Sequence, residues 1–479
     1  MTPQRILIRH IWRTVFANRA VRWLFLAVSG LALYAAWTGW VALRSQTDMR
    51  AHYQHEARQD WLANPDKHPH RMAHYGHFAF RPKAPLSGFD FGMDSFLGNA
   101  IFLEAHRQNA VNFSEAGFST GLLRFGEISL AMVLQVLFPL LIIFLGFGSI
   151  ATDRENGTLR LLLIQGVSWP QLVLGNSLGL LAVVGTLFGP VLLLAGALWA
   201  LAANGTAPAD GLARLGLLAF FYATYLLVCC LLVVGVSARS QTAKTALVTL
   251  IGGWLMLTIV LPRAAQAVGS YRYEVPSKAR FQAAIQADVS KQGDSHNPDD
   301  PHYKALKDSL LRANGVESVQ ALPFNYSGYV MAEGEKISAE IYNRHFAGLQ
   351  ETFDRQNRFT RALAWLNPFV AIRNLSMALA GSDYATYVDF QQQAEAYRYA
   401  LAQKMNDLQI KLISNRKLKP TEKSYSIDRS YWQDVPDFTY RPRPVSAVFA
   451  DEGLSMLALT FWAGLLLGAV FINKRSFRV

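Results

Sequence analysis

Histidine is the chemically versatile residue type that this chain concentrates in one region. Seven of its eleven histidines lie between positions 52 and 106, and they are His52, His55, His68, His70, His74, His77 and His106. Three of them, His70, His74 and His77, have spacings that place them on one face of a helix. Neutral imidazole nitrogens are ligands for zinc and copper. These three residues are therefore candidate metal ligands.

A structural or interface role is the alternative for these histidines, and we favour it. Pro69 and Gly76 interrupt a helix through the group. The only cysteines, Cys229 and Cys230, are adjacent in an apolar stretch, where we interpret them as packing residues. The sequence also does not place a carboxylate that would orient the imidazole rings. We therefore expect no metal or other cofactor in this chain.

Several motifs of nucleotide-dependent, hydrolytic and redox enzymes are missing from the sequence. There is no G-x-x-x-x-G-K-[ST] motif, so the chain lacks a P-loop of its own to hold nucleotide phosphates. The sequence HEARQ at His55 lacks the second histidine of H-E-x-x-H, and C-x-x-C is absent. We predict that the chain is not an enzyme.

Composition and hydropathy predict that the chain is a membrane protein. Apolar residues make up 51% of the chain and charged residues 17%, which disfavours a wholly soluble protein. Six segments have the roughly 20 apolar residues that cross a bilayer. They are residues 22–43, 129–148, 176–202, 215–236, 245–261 and 454–472. Beyond Arg22, the six segments contain no ionisable side chain of the kind that relays protons. This disfavours a transporter that is driven by a proton gradient, so energy for any transport comes from another source.

Basic residues at both ends of the chain predict its orientation. Lys and Arg remain on the cytoplasmic side in short loops. The residues that carry this signal are Arg5, Arg9, Arg13, Arg19, Arg22, Lys474, Arg475 and Arg478. Both termini are therefore expected in the cytoplasm. The net charge of +12 is explained by this topology, and no basic and aromatic stripe indicates a nucleic-acid partner.

The remaining segments follow from that orientation. Residues 1–21 are expected to form a helix in the cytoplasmic membrane interface. The first extracytoplasmic region is 44–128, and 262–453 is expected to be a large, mainly helical extracytoplasmic domain because its apolar spacing is helical. We expect its last part, rich in Pro, Tyr and charge, to be an extended arm. The fold class is thus an all-α membrane protein with six transmembrane helices.

The predicted cytoplasmic loop, residues 149–175, has an unusual pattern. Polar residues open it, and apolar residues with helical spacing follow from Thr158 to Gln165. A loop that displays so many leucines needs a surface on which to dock them. That surface belongs either to a partner or to the chain's own spans.

This loop resembles the coupling segment of type 2 ABC transporter permeases. The resemblance rests on the E-x-G-T-L sequence that begins at Glu155, on the leucines after it, and on LVLGN, where members often have G-K. The sequences FLGNAIFLEAHRQN, LNPFVAIRNLSMALAGSDYATYVDFQQQAEAYRYAL and YWQDVPDFTY are similar to a branch of that family with a large helical outside domain between its last two spans. The resemblance extends over essentially the whole chain.

The resemblance implies a permease subunit of an ATP-driven exporter in the bacterial inner membrane. Its implied partners are a cytoplasmic ABC ATPase subunit that binds ATP-Mg and a second permease, in a homodimer or heterodimer. The lipid bilayer and periplasmic or outer-membrane components are further expected contacts. The residues expected to couple to the ATPase are Asp153, Arg154, Glu155, Gly157, Thr158, Leu159 and Leu162.

Two further expectations follow from these assignments. Leu159→Asp is expected to release the ATPase without unfolding the permease, because Leu159 is placed in the docking face. The alternative function, from a different class, is a membrane-anchored assembly or sensor protein that binds a partner through its extracytoplasmic domain. The transported substrate is not indicated by any residue pattern.

Overall fold

The computed structural model describes residues 3–110, 128–203, 208–293, 297 and 300–472, so the basic residues after 472 lie outside it. The chain is mostly helical. The helices are α1 (Pro3–Ala17), α2 (Arg19–Leu62), α3 (Pro69–Tyr75), α4 (Leu130–Glu155), α5 (Thr158–Ile164), α6 (Trp169–Ala202), α7 (Pro208–Arg239), α8 (Ala243–Arg272), α9 (Lys278–Gln292), α10 (Pro301–Asn314), α11 (Tyr326–Ala362), α12 (Pro368–Ala380), α13 (Tyr384–Leu412), α14 (Ser430–Gln433) and α15 (Val445–Ile472).

Six of these helices are long and apolar enough to cross a membrane, namely α2, α4, α6, α7, α8 and α15. This number confirms the six spans predicted from hydropathy, and each predicted segment overlaps one of these helices. The helices extend beyond the apolar segments. With 44 residues, α2 is about 66 Å long, roughly twice the thickness of the hydrocarbon core. Its second half therefore projects away from the apolar layer.

A small antiparallel sheet is a departure from the predicted all-α class. Strand β1 (His77–Phe80) pairs with β2 (Ala100–Leu103). The inward side chains Ala79, Ile101 and Leu103 pack against α13. Four-residue strands are too short for their alternation to be distinguished from loop sequence. The sheet fixes the segment after α3 against the long helix α13.

The N-terminal helix α1 lies along the beginning of α6. A side chain at Gly175 would collide with Leu7, and one at Gly179 would collide with Ile11. These two glycines form a small-xxx-small pair, which permits close approach of helix backbones. The apolar face of α1 is thus buried on α6, while Arg9 and Arg13 are exposed.

A second hydrophobic core lies beyond the apolar half of α2. Trp61, at the end of α2, is fully buried with Met72 of α3, Met405 of α13 and Trp432 of α14. The Trp61 indole N–H donates a hydrogen bond to the carbonyl oxygen of Trp432 at 2.9 Å. The region expected to be an extended arm contains the short helix α14 and packs on this core. Early and late parts of the chain therefore share one folded unit.

Helix α12 is buried between the spans α7 and α15, although hydropathy did not mark it as membrane-associated. Its carbonyl end is held by Arg214 of α7. The guanidinium donates to the carbonyl oxygens of Ala378 (3.2 Å) and Leu379 (3.1 Å), and to that of Arg443 (2.7 Å). Asp210, one turn earlier on α7, accepts from Arg214 at 2.7 Å. One side chain thus joins α7, α12 and the segment before α15.

We expect Arg214→Leu to lower the free energy of unfolding by about 2–3 kcal/mol. The substitution leaves Asp210 without its cation and removes the donors for three carbonyl groups, each of which is costly to leave unpaired. Thermal unfolding of the detergent-purified chain measures the effect. Arg355→Leu is the matched control, because Arg355 contacts Glu351 with the same spacing but both side chains are exposed. Equal melting temperatures for the two variants would contradict this role of Arg214.

Candidate functional site

The last residues of α4 and its connection to α6, residues 151–168 together, form what we term the α5 segment. Gly157, with a φ of +78°, turns the chain at the end of α4, and α5 follows. Gly166, with a φ of +87°, ends α5. Ser168 and Gln171 then form a reciprocal capping box at the start of α6. The helix predicted from Thr158 to Gln165 is therefore present and ends one residue earlier.

Arg154 fixes the α5 segment to the end of span α7. Its guanidinium donates to the carbonyl oxygens of Ala238 (2.7 Å) and Ser240. The Ser237 hydroxyl accepts from the backbone N–H of Ile150 at 3.1 Å. The two bonds from Arg154 satisfy carbonyl groups at the end of α7 that have no partner within the helix. The α5 segment is therefore joined directly to the end of α7.

Leu159 does not lie on an outward docking face, because its side chain points into the protein. Its side chain is only 1% exposed and belongs to the core formed by the spans. Leu162 and Leu163 are partly buried against the same core. Leu159 therefore secures α5 to the core formed by the candidate spans, and we expect Leu159→Asp to unfold this region rather than only release a partner.

The opposite face of α5 carries the exposed apolar side chains. Leu161 is 61% exposed and Ile164 is 82% exposed. Sequence reasoning counted Leu161 among the leucines that need a docking surface but not among the expected coupling residues, and it did not single out Ile164. Because α5 is apolar around most of its circumference, the pattern does not reveal which leucines face inward. Once Leu159 is known to be the buried position, the helical period places both Leu161 and Ile164 on the opposite, exposed face.

Polar residues surround this exposed apolar patch. Of the expected coupling residues, Glu155, Gly157 and Thr158 are exposed beside it, and Asp153 is half-buried. Apolar groups with a polar rim are the usual composition of a protein interface. The geometry thus separates the expected residues into an exposed set, a buried set of Leu159 and partly buried Leu162, and the anchoring residue Arg154.

A cavity of about 660 Å³ lies between α5 and the start of α6. Its walls include Leu163 of α5, Trp169 and Leu174 of α6, and Phe471 near the end of α15. The walls are therefore contributed by two candidate spans as well as by α5. A groove beside an exposed apolar helix provides a place for side chains from a second protein.

The histidines form a second group, with a membership different from the predicted one. His70 and His74 are on α3, and His106 lies beside them after β2. His77 is instead in β1, where its Nε2 is 3.4 Å from Asp437. Burial lowers the pKa of His77 below its usual value, although Asp437 acts in the opposite direction. The prediction of a face shared by His70, His74 and His77 is wrong because Gly76 ends the helix between them.

A serine-hydrolase motif occurs in a setting that does not support hydrolysis. Residues 175–179 read GNSLG and match G-x-S-x-G. That motif requires a sharp turn between a strand and a helix, which exposes the serine. Ser177 is fully buried inside the continuous helix α6. The two glycines serve instead in the contact with α1.

A comparison with known families finds a match for part of the chain. Residues 278–441 match the family model described as "Domain of unknown function (DUF3526)". The match begins at the first residue of α9 and ends before α15, so it falls between the last two candidate spans. A comparison with curated proteins gives no match.

Proposed function

We propose that this chain is the transmembrane permease subunit of an ATP-driven ABC exporter. A separate cytoplasmic subunit binds and hydrolyses ATP-Mg, and this chain is not itself an enzyme. The location is the bacterial inner membrane, with both termini and the α5 segment in the cytoplasm. The resemblance to type 2 permeases and the missing P-loop both support this proposal.

The observation that carries the proposal is the exposed apolar face of α5. Leu161 and Ile164 project from a short helix between two spans, where the chain's own core does not cover them. The same helix is anchored to α7 through Arg154. A subunit that binds this face can therefore move the spans when it changes shape on binding ATP.

A second permease, identical or different, is part of the proposal. Of the six candidate spans, α8 has the least buried apolar segment within the single chain. Its exposed side chains include Val248, Leu255 and Ile259. These side chains suit either lipid or the apolar surface of another permease. The spans α2 and α15 are also largely exposed and can complete such an interface.

Copurification tests the proposal. The full-length chain is isolated in mild detergent from its native membrane, and vanadate-sensitive ATP hydrolysis is measured in the eluate. We expect a stoichiometric partner with a P-loop, identified by mass spectrometry. If a folded permease is recovered without any ATP-hydrolysing partner, the membrane-anchored assembly or sensor function replaces the transporter.

Cysteine labelling tests the proposed topology. In a background with Cys229 and Cys230 replaced by alanine, Ser424→Cys is expected to react with an impermeant thiol reagent in intact cells. Gln165→Cys, at the end of the α5 segment, is expected to react only after the membrane is opened. Both positions are exposed in the fold, so accessibility to the reagent reports the side of the membrane. The reverse pattern would invert the topology and exclude a cytoplasmic partner for α5.

A further inference from the structure

The rings of His70, His74 and His106 form a compact group outside the candidate spans. His70 and His74 are one turn apart on α3, with ring centroids 4.6 Å apart. The His106 ring centroid is 5.8 Å from that of His70 and 5.3 Å from that of His74. One ring nitrogen from each residue lies within 4.8 Å of the other two. Three nitrogens at this separation are close to the spacing of ligands around a single metal ion.

The backbone of α3 holds two of these rings in place. Pro69 is the first residue of the helix and Gly76 follows its last residue, so the two residues that interrupt longer helices bound this one. Met72 and Ala73 are buried on its inner face. His70 and His74 are therefore directed away from that core, one above the other.

His106 is brought to α3 by a separate turn of the chain. The Ala105 N–H donates to the carbonyl oxygen of Ala73 at 3.3 Å, which joins this turn to α3. His106 has a φ of +61°, a left-handed conformation that residues other than glycine seldom adopt. Its N–H donates to Glu335 Oε2 at 2.6 Å, and its Nδ1 lies 3.2 Å from the same oxygen. The carboxylate thus fixes both the backbone and the ring.

Glu335 is a suitable partner for a metal-binding imidazole. It is fully buried, and its other oxygen accepts from Arg398 at 2.6 Å. The Oε2 atom of Glu335 lies 3.2 Å from Nδ1 of His106, so Nε2 is the ring nitrogen left for a metal ion. Carboxylate–histidine pairs of this kind orient metal ligands in many proteins.

We propose that His70, His74 and His106 bind one divalent late first-row metal ion, Zn²⁺ or Cu²⁺, with Glu335 as the outer partner of His106. An all-imidazole donor set selects these ions over Mg²⁺ and Ca²⁺, which take oxygen ligands. Three protein ligands leave one coordination position open. The ion would join α3 to the turn at His106 and, through Glu335, to α11.

Metal binding requires only a small movement of the side chains. A tetrahedral ion about 2.0–2.1 Å from each nitrogen places the nitrogens roughly 3.4 Å apart. The nitrogens therefore approach one another by at most about 1.4 Å. His74 is exposed, so its ring has room to make this adjustment.

The test measures metal binding by the full-length chain in detergent, purified through an affinity tag that contains no histidine. After equilibration with Zn²⁺, or separately with Cu²⁺, and removal of unbound ion, we expect one ion per chain and a higher melting temperature. His74→Ala, whose site is exposed and tolerant of truncation, is expected to bind at least tenfold more weakly. Its melting temperature without metal should equal that of the wild type.

His55→Ala is the matched control, because His55 is an exposed histidine on the neighbouring helix α2. It should retain the wild-type stoichiometry and affinity. The proposal is overturned if the wild type retains no ion, if His55→Ala weakens binding as much as His74→Ala, or if the triple variant of His70, His74 and His106 still binds one ion. None of these outcomes depends on transport activity.

Discussion

Arg398→Met is expected to lower the free energy of unfolding by about 3–5 kcal/mol, the largest stability effect of any substitution considered. Arg398 of α13 is almost completely buried. Its guanidinium forms a bidentate pair with Glu395, with both distances 2.8 Å, and bonds to Glu335 at 2.6 Å. A fourth bond reaches the carbonyl oxygen of Glu104. The guanidinium therefore links α11, α13 and the turn before His106.

The cost arises because the variant leaves two carboxylates in a buried site without their cation. Burial already raises the pKa of Glu395 above its usual value, despite the pairing with Arg398. Without Arg398, each carboxylate must take up a proton or be exposed to water by local unfolding. For a folded unit of roughly 150–250 residues, this change in the free energy of unfolding corresponds to a fall in melting temperature on the order of 10 °C.

Lys411→Met is the control for the loss of a basic side chain on the same helix. Lys411 pairs with Asp407 on α13, but both side chains are more than half exposed. Its removal is expected to change the free energy of unfolding by less than about 1 kcal/mol. Thermal unfolding of the three proteins in one detergent gives the comparison. If Arg398→Met and Lys411→Met have the same melting temperature, the buried ion group makes no specific contribution to stability. Arg398 then does not hold Glu335 in place as argued above.

The number of spans was predictable because it depends on a local property. About 20 consecutive apolar residues are needed for each crossing, and that signal is present in every one of the six segments. The ends of the helices were less predictable. Helix α2 continues to Leu62 because its polar half packs on a distant part of the chain, through Trp61 and Trp432. Such contacts are not visible in a sequence window.

The candidate sites were less predictable because they combine distant segments. His70 and His74 were found from their spacing, but His106 and Glu335 join them through tertiary contacts. Helix α12 has 13 residues and includes Arg373, so it is too short and too polar for a hydropathy signal, although it is buried among spans. Glu335 and Arg398 meet in the core beyond the candidate spans, but in the sequence they are ordinary charged residues of two long helices until it is known which helix faces meet.

The double substitution Leu161→Asp with Ile164→Asp is expected to abolish copurification of the ATPase. Each side chain is a largely exposed apolar group on α5 and is expected to fill an apolar groove on the partner. Truncation of such a central contact costs about 2 kcal/mol or more, and a buried carboxylate adds a desolvation cost. Two such changes weaken binding by roughly 1,000-fold or more.

The fold should tolerate this double variant, because neither side chain packs in the core. We expect its melting temperature to lie within a few degrees of the wild type. Leu159→Asp provides the contrast. It places a carboxylate among the spans, where Leu159 is 1% exposed, and should lower the melting temperature strongly. Two neighbouring positions on one short helix are thus expected to separate loss of the partner from loss of the fold.

Glu155→Ala completes the series, since Glu155 is exposed at the edge of the same surface. As a rim residue it should weaken binding by about 1 kcal/mol or less. The measurement is the ratio of ATPase to permease after copurification, with a melt of each permease variant. If the double variant retains the ATPase at the wild-type ratio, Leu161 and Ile164 face lipid or solvent, and α5 is not the coupling helix. If it melts as low as Leu159→Asp, both faces of α5 pack on the permease and the partner must bind elsewhere.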